Sequence, residues 1–115
     1  MRPDEERLQD ILEAIENMER HLPATWEAFD GNELVRVWCL RHLEIIGEAA
    51  TRLSQDVRAK APTIPWKPIV GMRNTLVHAC FDVNWRRVRE VLAHDLRPLK
   101  AGVEALLKAI EEGAP

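Results

Sequence analysis

Apolar residues recur at three- and four-residue intervals along this chain, and no segment alternates apolar and polar residues long enough to make a strand. That period puts one hydrophobic stripe on a helix and suits a sheet poorly. Leu8, Ile11, Leu12, Ile15 and Met18 form the first stripe, with Glu5, Glu6, Asp10, Glu13 and Glu16 mostly elsewhere. Pro3 and Asp4 suit a helix start and Pro23 a stop, which predicts a helix of about five turns. Residues 25–29 read as a linker or a helical turn. Asn32 then suits the N-cap of a second helix over residues 33–53. Here Leu34, Val35, Val37, Trp38, Leu40, Leu43, Ile45, Ile46, Ala49, Ala50 and Leu53 cover more than one stripe. Such a helix needs more than one neighbour: two helices of its own chain, or one helix and a second subunit. Gly47 lies inside it at a helix cost of about 1 kcal/mol. It either permits a close helix crossing or is simply tolerated.

Residues 54–61 extend as a short helix, after which Pro62, Pro65 and Pro68 punctuate the chain. A third helix starts at Trp66 or Lys67, with Pro68 acceptable in its first turn, and runs to about His78. Residues 81–83 read as a turn. Asn84 caps a final long helix carrying Trp85, Val88, Val91, Leu92, Leu96, Leu99, Val103, Leu106, Leu107 and Ile110. Pro98 is expected to kink or divide that helix near Asp95 and Leu96. The expected fold is all-α, a four-to-five-helix antiparallel bundle. At 115 residues the chain has room for one core, hence one domain over 1–115.

No apolar run approaches the roughly 18 residues that a membrane span requires. The start of the chain, with Asp4, Glu5 and Glu6, is too acidic for a signal peptide, so a cytoplasmic location is expected. Cys39 and Cys80 read as reduced, partly buried thiols. His21, His42, His78 and His94 are scattered and neither cysteine has a ligand-spaced partner, so no metal site is expected. The net charge of −3 is unevenly spread. Residues 1–65 carry 8 Lys/Arg against 13 Asp/Glu, whereas residues 66–100 carry 7 against 3. A local positive field that handles phosphate is therefore compatible with an acidic chain. For the cluster Arg86, Arg87 and Arg89 taken alone, a solvated helix face is the preferred reading.

The basic stretch contains Arg73, Asn74 and His78. On a continuous helix Asn74 and His78 are i,i+4 neighbours, and the long Arg73 side chain can swing toward them. Histidine transfers protons near neutral pH. Arginine offers a fixed charge with a fork that fits phosphate, and asparagine can orient a substrate oxygen or the histidine. These groups suit metal-free cleavage of an RNA phosphodiester, in which the 2′-hydroxyl attacks its own phosphate. The spacing alone is weak, because Arg89 and His94 repeat it. That second pair is followed by Glu90, lies inside a long helix, and is read as structural. A structural reading of the first pair also exists, with His78 capping a helix end and Arg73 paired with Glu48.

The run Ile64-Pro65-Trp66-Lys67-Pro68-Ile69-Val70-Gly71-Met72-Arg73-Asn74-Thr75-Leu76-Val77-His78 resembles the signature of the HepT-like family in the HEPN superfamily. Upstream, Arg41-His42-Leu43-Glu44-Ile45-Ile46-Gly47-Glu48-Ala49-Ala50 is similar to the family's second-helix motif. Downstream, Phe81-Asp82-Val83-Asn84 and Asp95-Leu96-Arg97-Pro98-Leu99 fit as well. The resemblance covers residues 5–110. It implies a helical homodimer with its two sites near the subunit interface. It also implies a ribonuclease toxin partnered by a minimal nucleotidyltransferase antitoxin, with no cofactor. The family motif carries over to Arg73 and His78 as catalytic residues and to Asn74 as a supporting one, and Glu48 is expected to line the same groove. The chain departs from the family two residues after the histidine. There the family has a tyrosine that accepts AMP, whereas this chain has Cys80 and no tyrosine at all. Control by tyrosine AMPylation is therefore impossible here. The alternative is a non-catalytic subunit that binds a nucleotide or substrate for a nucleotidyltransferase.

Overall fold

The computed structural model describes residues 3–79 and 82–113, without the side chains of His78 and Ala79. Helix α1 (Pro3–Glu19) is followed by α2 (Trp26–Asp30), α3 (Glu33–Thr51) and α4 (Gln55–Ala59). Two short helices come next, α5 (Trp66–Val70) and α6 (Met72–Leu76). A small antiparallel pair, β1 (Val77–Ala79) and β2 (Asp82–Val83), leads to α7 (Trp85–Glu90). A π-helical turn over Val91–Asp95 then joins α7 to α8 (Leu96–Glu112).

Local chemistry sets most of the helix starts. The side chains of Thr25, Asn32, Ser54 and Asn84 accept hydrogen bonds from the backbone N–H groups of Ala28, Val35, Val57 and Arg87. Each such cap contributes on the order of 1 kcal/mol. The cap at Asn32 and the helix beginning at Pro3 agree with expectation, and the segment around residues 25–29 is a helical turn.

Helix α1 is the centre of the molecule. Its stripe of Leu8, Ile11, Ala14, Ile15 and Met18 is buried between α3 and α8. Asp4 at its start accepts the N–H of Ser54 at 2.9 Å and the Ser54 hydroxyl at 2.7 Å, just beyond the end of α3. Near its other end, the Asn17 carbonyl accepts the indole N–H of Trp38, early in α3, at 3.0 Å. Glu19, the last residue of α1, holds Lys100 of α8 at 2.7 Å. Both neighbours therefore run antiparallel to α1. The expected all-α bundle is the observed fold.

The third expected helix is not continuous. It breaks at Gly71, where α5 ends, and α6 stops at Leu76. Glycine is the poorest non-proline helix former. The Thr75 hydroxyl donates to the Met72 carbonyl at 2.9 Å, a local bond that competes with helix propagation. Val77, with φ −126° and ψ 114°, is already extended. It pairs with Val83, so the expected turn at residues 81–83 contributes Asp82 and Val83 to a short strand. Asn74 and His78 are consequently not helical i,i+4 neighbours. The last helix is divided close to Pro98, as expected. Proline has no N–H to give to the His94 carbonyl, and the chain widens into one π turn just upstream.

Gly47 permits a close crossing. A Cβ built there would lie 3.3 Å from the backbone oxygen of Ile69 in α5. The indole N–H of Trp66, which opens α5, is shared between the carbonyls of Arg58 and Ala61 at 3.0 and 3.1 Å. Helix α5, which leads into the segment carrying Arg73, is thus held against α3 on one side and against the end of α4 on the other.

Cys39 is buried in α3, and desolvation pushes its thiol up to about 11 from 9.0. Between those values the unfolded chain releases a proton that the folded chain keeps. Ionisation of this thiol therefore leaves stability untouched below about pH 9 and lowers it as pH rises toward 11. Cys39→Ala is expected to flatten that decline. Denaturation midpoints between pH 8 and 11 check it, and an equal decline in both proteins would assign it to other groups. Cys80 lies outside the described residues.

Candidate functional site

Arg73 and Asn74 line a groove of about 620 Å³ between α3 and the α5–α6 segment. Arg7, Asp10, Arg41, Glu44, Glu48 and Arg52 also face it. Glu44 and Glu48 are one turn apart on α3 and so share a face. Glu48 stands in the same groove as Arg73 and Asn74. Its carboxylate is taken by Arg52, at 3.2 Å from Nε and 3.1 Å from Nη2. Arg73 does not pair with Glu48. Its Nε lies 3.9 Å from Glu44 Oε2, and its side chain is 78% exposed. An exposed pair at that distance is worth little, so the guanidinium is loosely tethered.

Four arginines and three carboxylates line this groove. Arg7 lies 3.8 Å from Asp10, Arg52 holds Glu48 and Arg73 reaches Glu44. Arg41 is exposed and makes no ion pair among the described residues. One cation is thus left over beside the exposed guanidinium of Arg73 and the amide of Asn74. Such a set can bind a phosphate by charge and by hydrogen bonds.

His78 sits on β1, two residues past the end of α6. The hairpin that carries it is anchored where the Asn84 N–H donates to the Leu76 carbonyl at 2.7 Å. Its side chain is outside the described residues, as is Cys80. Among the described residues, no three His, Cys, Asp or Glu side chains converge to hold a metal. No helix is long and apolar enough to cross a membrane.

Sequence reasoning missed Arg41, Glu44 and Arg7 as groove residues. Glu44 was legible, since it stands four residues before Glu48 on the same helix face. Arg7 was not, because nothing local says which face of α1 approaches α3. The positive charge was also misplaced. Only Arg73 of the basic stretch lines this groove, while Arg86, Arg87 and Arg89 stand on α7. Arg89 pairs with Asp30 at 3.1 Å and lies over the Trp26 ring, whereas His94 is exposed in the π turn.

The family model described as ribonuclease HepT-like matches residues 11–106. A Thermococcus cleftensis protein named "Probable ribonuclease HepT" is 35% identical over 93% of this chain and 98% of its own length. "Putative RNase MJ1216" of Methanocaldococcus jannaschii is 35% identical over 92% of this chain and 83% of its own. No solved structure matches the chain significantly. The match includes Arg73, Asn74, His78 and the groove residues of α3, and this chain belongs to the ribonuclease HepT-like family.

Proposed function

We propose that this protein is a metal-independent endoribonuclease that cleaves RNA with Arg73 and His78. The observation that carries the reading is the loosely held Arg73 guanidinium at a groove whose carboxylates are otherwise paired. The names of the relatives support RNA as the substrate. In this mechanism the 2′-hydroxyl attacks the adjacent phosphorus and the 5′-oxygen leaves. Arg73 stabilises the extra negative charge on the phosphorane oxygens. His78 moves a proton from the nucleophile or to the leaving oxygen. Asn74 orients the phosphate or the imidazole, and Glu48 holds Arg52 against the groove wall. The reaction leaves a 2′,3′-cyclic phosphate and a 5′-hydroxyl.

The test is a ribo-oligonucleotide and its fully 2′-O-methylated twin, each incubated with the protein in EDTA. Cyclic-phosphate ends from the first strand alone are expected. Cleavage of the methylated strand would contradict attack by the 2′-hydroxyl.

The reading extends to a cytoplasmic toxin, acting as a homodimer and held in check by a minimal nucleotidyltransferase. Helix α3 buries one side on α1, α5 and α6 but leaves Leu34, Val37 and Trp38 exposed at 82%, 52% and 39%. Those residues share a face at i, i+3 and i+4, and a second copy would cover them. Leu34→Asp with Val37→Asp is expected to turn a dimer into a monomer by light scattering at micromolar concentration. A monomeric wild type would contradict the dimer. Because the chain has no tyrosine, restraint by a nucleotidyltransferase would use steric binding or another residue. The same absence favours the second reading, a non-catalytic subunit that binds nucleotide for such an enzyme. In that case the protein binds RNA or nucleotide in EDTA and cleaves nothing.

A further inference from the structure

We propose that the face built by α2 and α7 is a second RNA-contacting surface, gripping single-stranded RNA beyond the nucleotides at Arg73. The proposal rests on the ribonuclease reading above. A groove of about 540 Å³ lies on this face, lined by Trp26, Asp30, Trp85, Arg86, Arg89 and His94 among others. Both indoles are half-buried and packed against the core, so each ring is fixed while part of it meets solvent. The Arg89 guanidinium lies 5.1 Å from the centroid of Trp26, and that of Arg36 lies 5.3 Å from the centroid of Trp85. A nucleotide that draws each guanidinium onto its phosphate would uncover the ring beneath for its base, so that the fork and the stacking platform work together. An acidic protein partner would use the arginines but would have no need of the fixed rings.

Arginines and carboxylates balance on this face, but ion pairing leaves the guanidinium of Arg86 over. Asp30 is taken by Arg89 at 3.1 Å, and Glu90 lies 3.8 Å from Arg87. Arg86 is exposed and makes no ion pair among the described residues. Backbone hydrogen bonding ties the start of α7 to the end of the helix that carries Arg73. Asn84 is bonded to Leu76 at the end of α6, and Trp85 is the next residue. Leu76 in turn stands about 5 Å of helix rise from Arg73.

The test uses full-length His78→Ala protein, so that RNA stays intact, with fluorescein-labelled single-stranded RNAs of twelve and three nucleotides. Arg86→Glu changes an exposed residue. Trp85→Leu removes a platform, and its folding is checked by circular dichroism. Each is expected to weaken binding of the long RNA by about tenfold and to leave the short one unchanged. In the cleaving background, Arg86→Glu is expected to raise KM for the long RNA at constant kcat. Unchanged affinity for the long RNA in both folded variants would overturn the proposal. If Arg73-dependent cleavage persists in that case, the ribonuclease reading stands without it. A parent protein that binds neither RNA overturns both. Displacement of the long RNA by poly-glutamate as readily as by unlabelled RNA would show that the face reads charge alone, against the proposal.

Discussion

Arg73→Ala is expected to lower kcat for RNA cleavage by about 10²–10³-fold, the usual loss when one donor to a developing oxyanion is removed. The melting temperature should move by no more than about 3 °C, because the side chain is 78% exposed and its contact with Glu44 spans 3.9 Å. Arg73→Lys keeps the charge but loses the fork, so it should recover only part of the rate. Glu44→Gln releases the guanidinium and should change kcat far less than Arg73→Ala does. Steady-state kinetics beside thermal melts check the set. A rate loss in Arg73→Ala that tracks a loss of fold would make Arg73 a structural residue.

Gly47→Leu should damage both fold and site. Even a Cβ at this position sits 3.3 Å from the Ile69 carbonyl oxygen, and that oxygen belongs to backbone that cannot rotate away. Leucine must therefore push α5 off α3, at a cost of about 1–3 kcal/mol. The melting temperature should fall by roughly 10 °C. Because α5 passes through Gly71 directly into α6, the same displacement moves Arg73 and should abolish cleavage. Gly47→Ala needs a shift of only a few tenths of an ångström and gains helix propensity, so it should be nearly neutral. A Gly47→Leu protein with wild-type stability and activity would show that the close crossing does not position the site.

The parts of this fold that rest on local chemistry were legible in the sequence. Asn32 and Asn84 announced helix starts, the stripe from Leu8 to Met18 announced a buried face, and Pro98 announced a divided last helix. The break at Gly71 was harder to read. Ile69, Val70, Met72 and Leu76 fit one helical stripe as well as two, and a single glycine settles the matter only once packing on α3 is known. The extended course of Val77 depends on its pairing with Val83, a contact that helical periodicity does not encode. At the site, the family resemblance pointed to Arg73, Asn74 and Glu48, and all three line one groove. The partners of these side chains were not legible. Arg52 is four residues from Glu48, as Glu44 is, and geometry alone decides that Glu48 takes Arg52 while Arg73 takes Glu44. The excess apolar surface of α3 was visible as a surplus, and the structure locates it at Leu34, Val37 and Trp38.

The most direct measurement compares wild type, His78→Ala and Arg73→Ala on one RNA in EDTA, at equal protein concentration. Cleavage is expected from the wild type and a loss of at least about 10²-fold from each variant, with all three proteins folded. Equal cleavage in all three samples would contradict catalysis by Arg73 and His78.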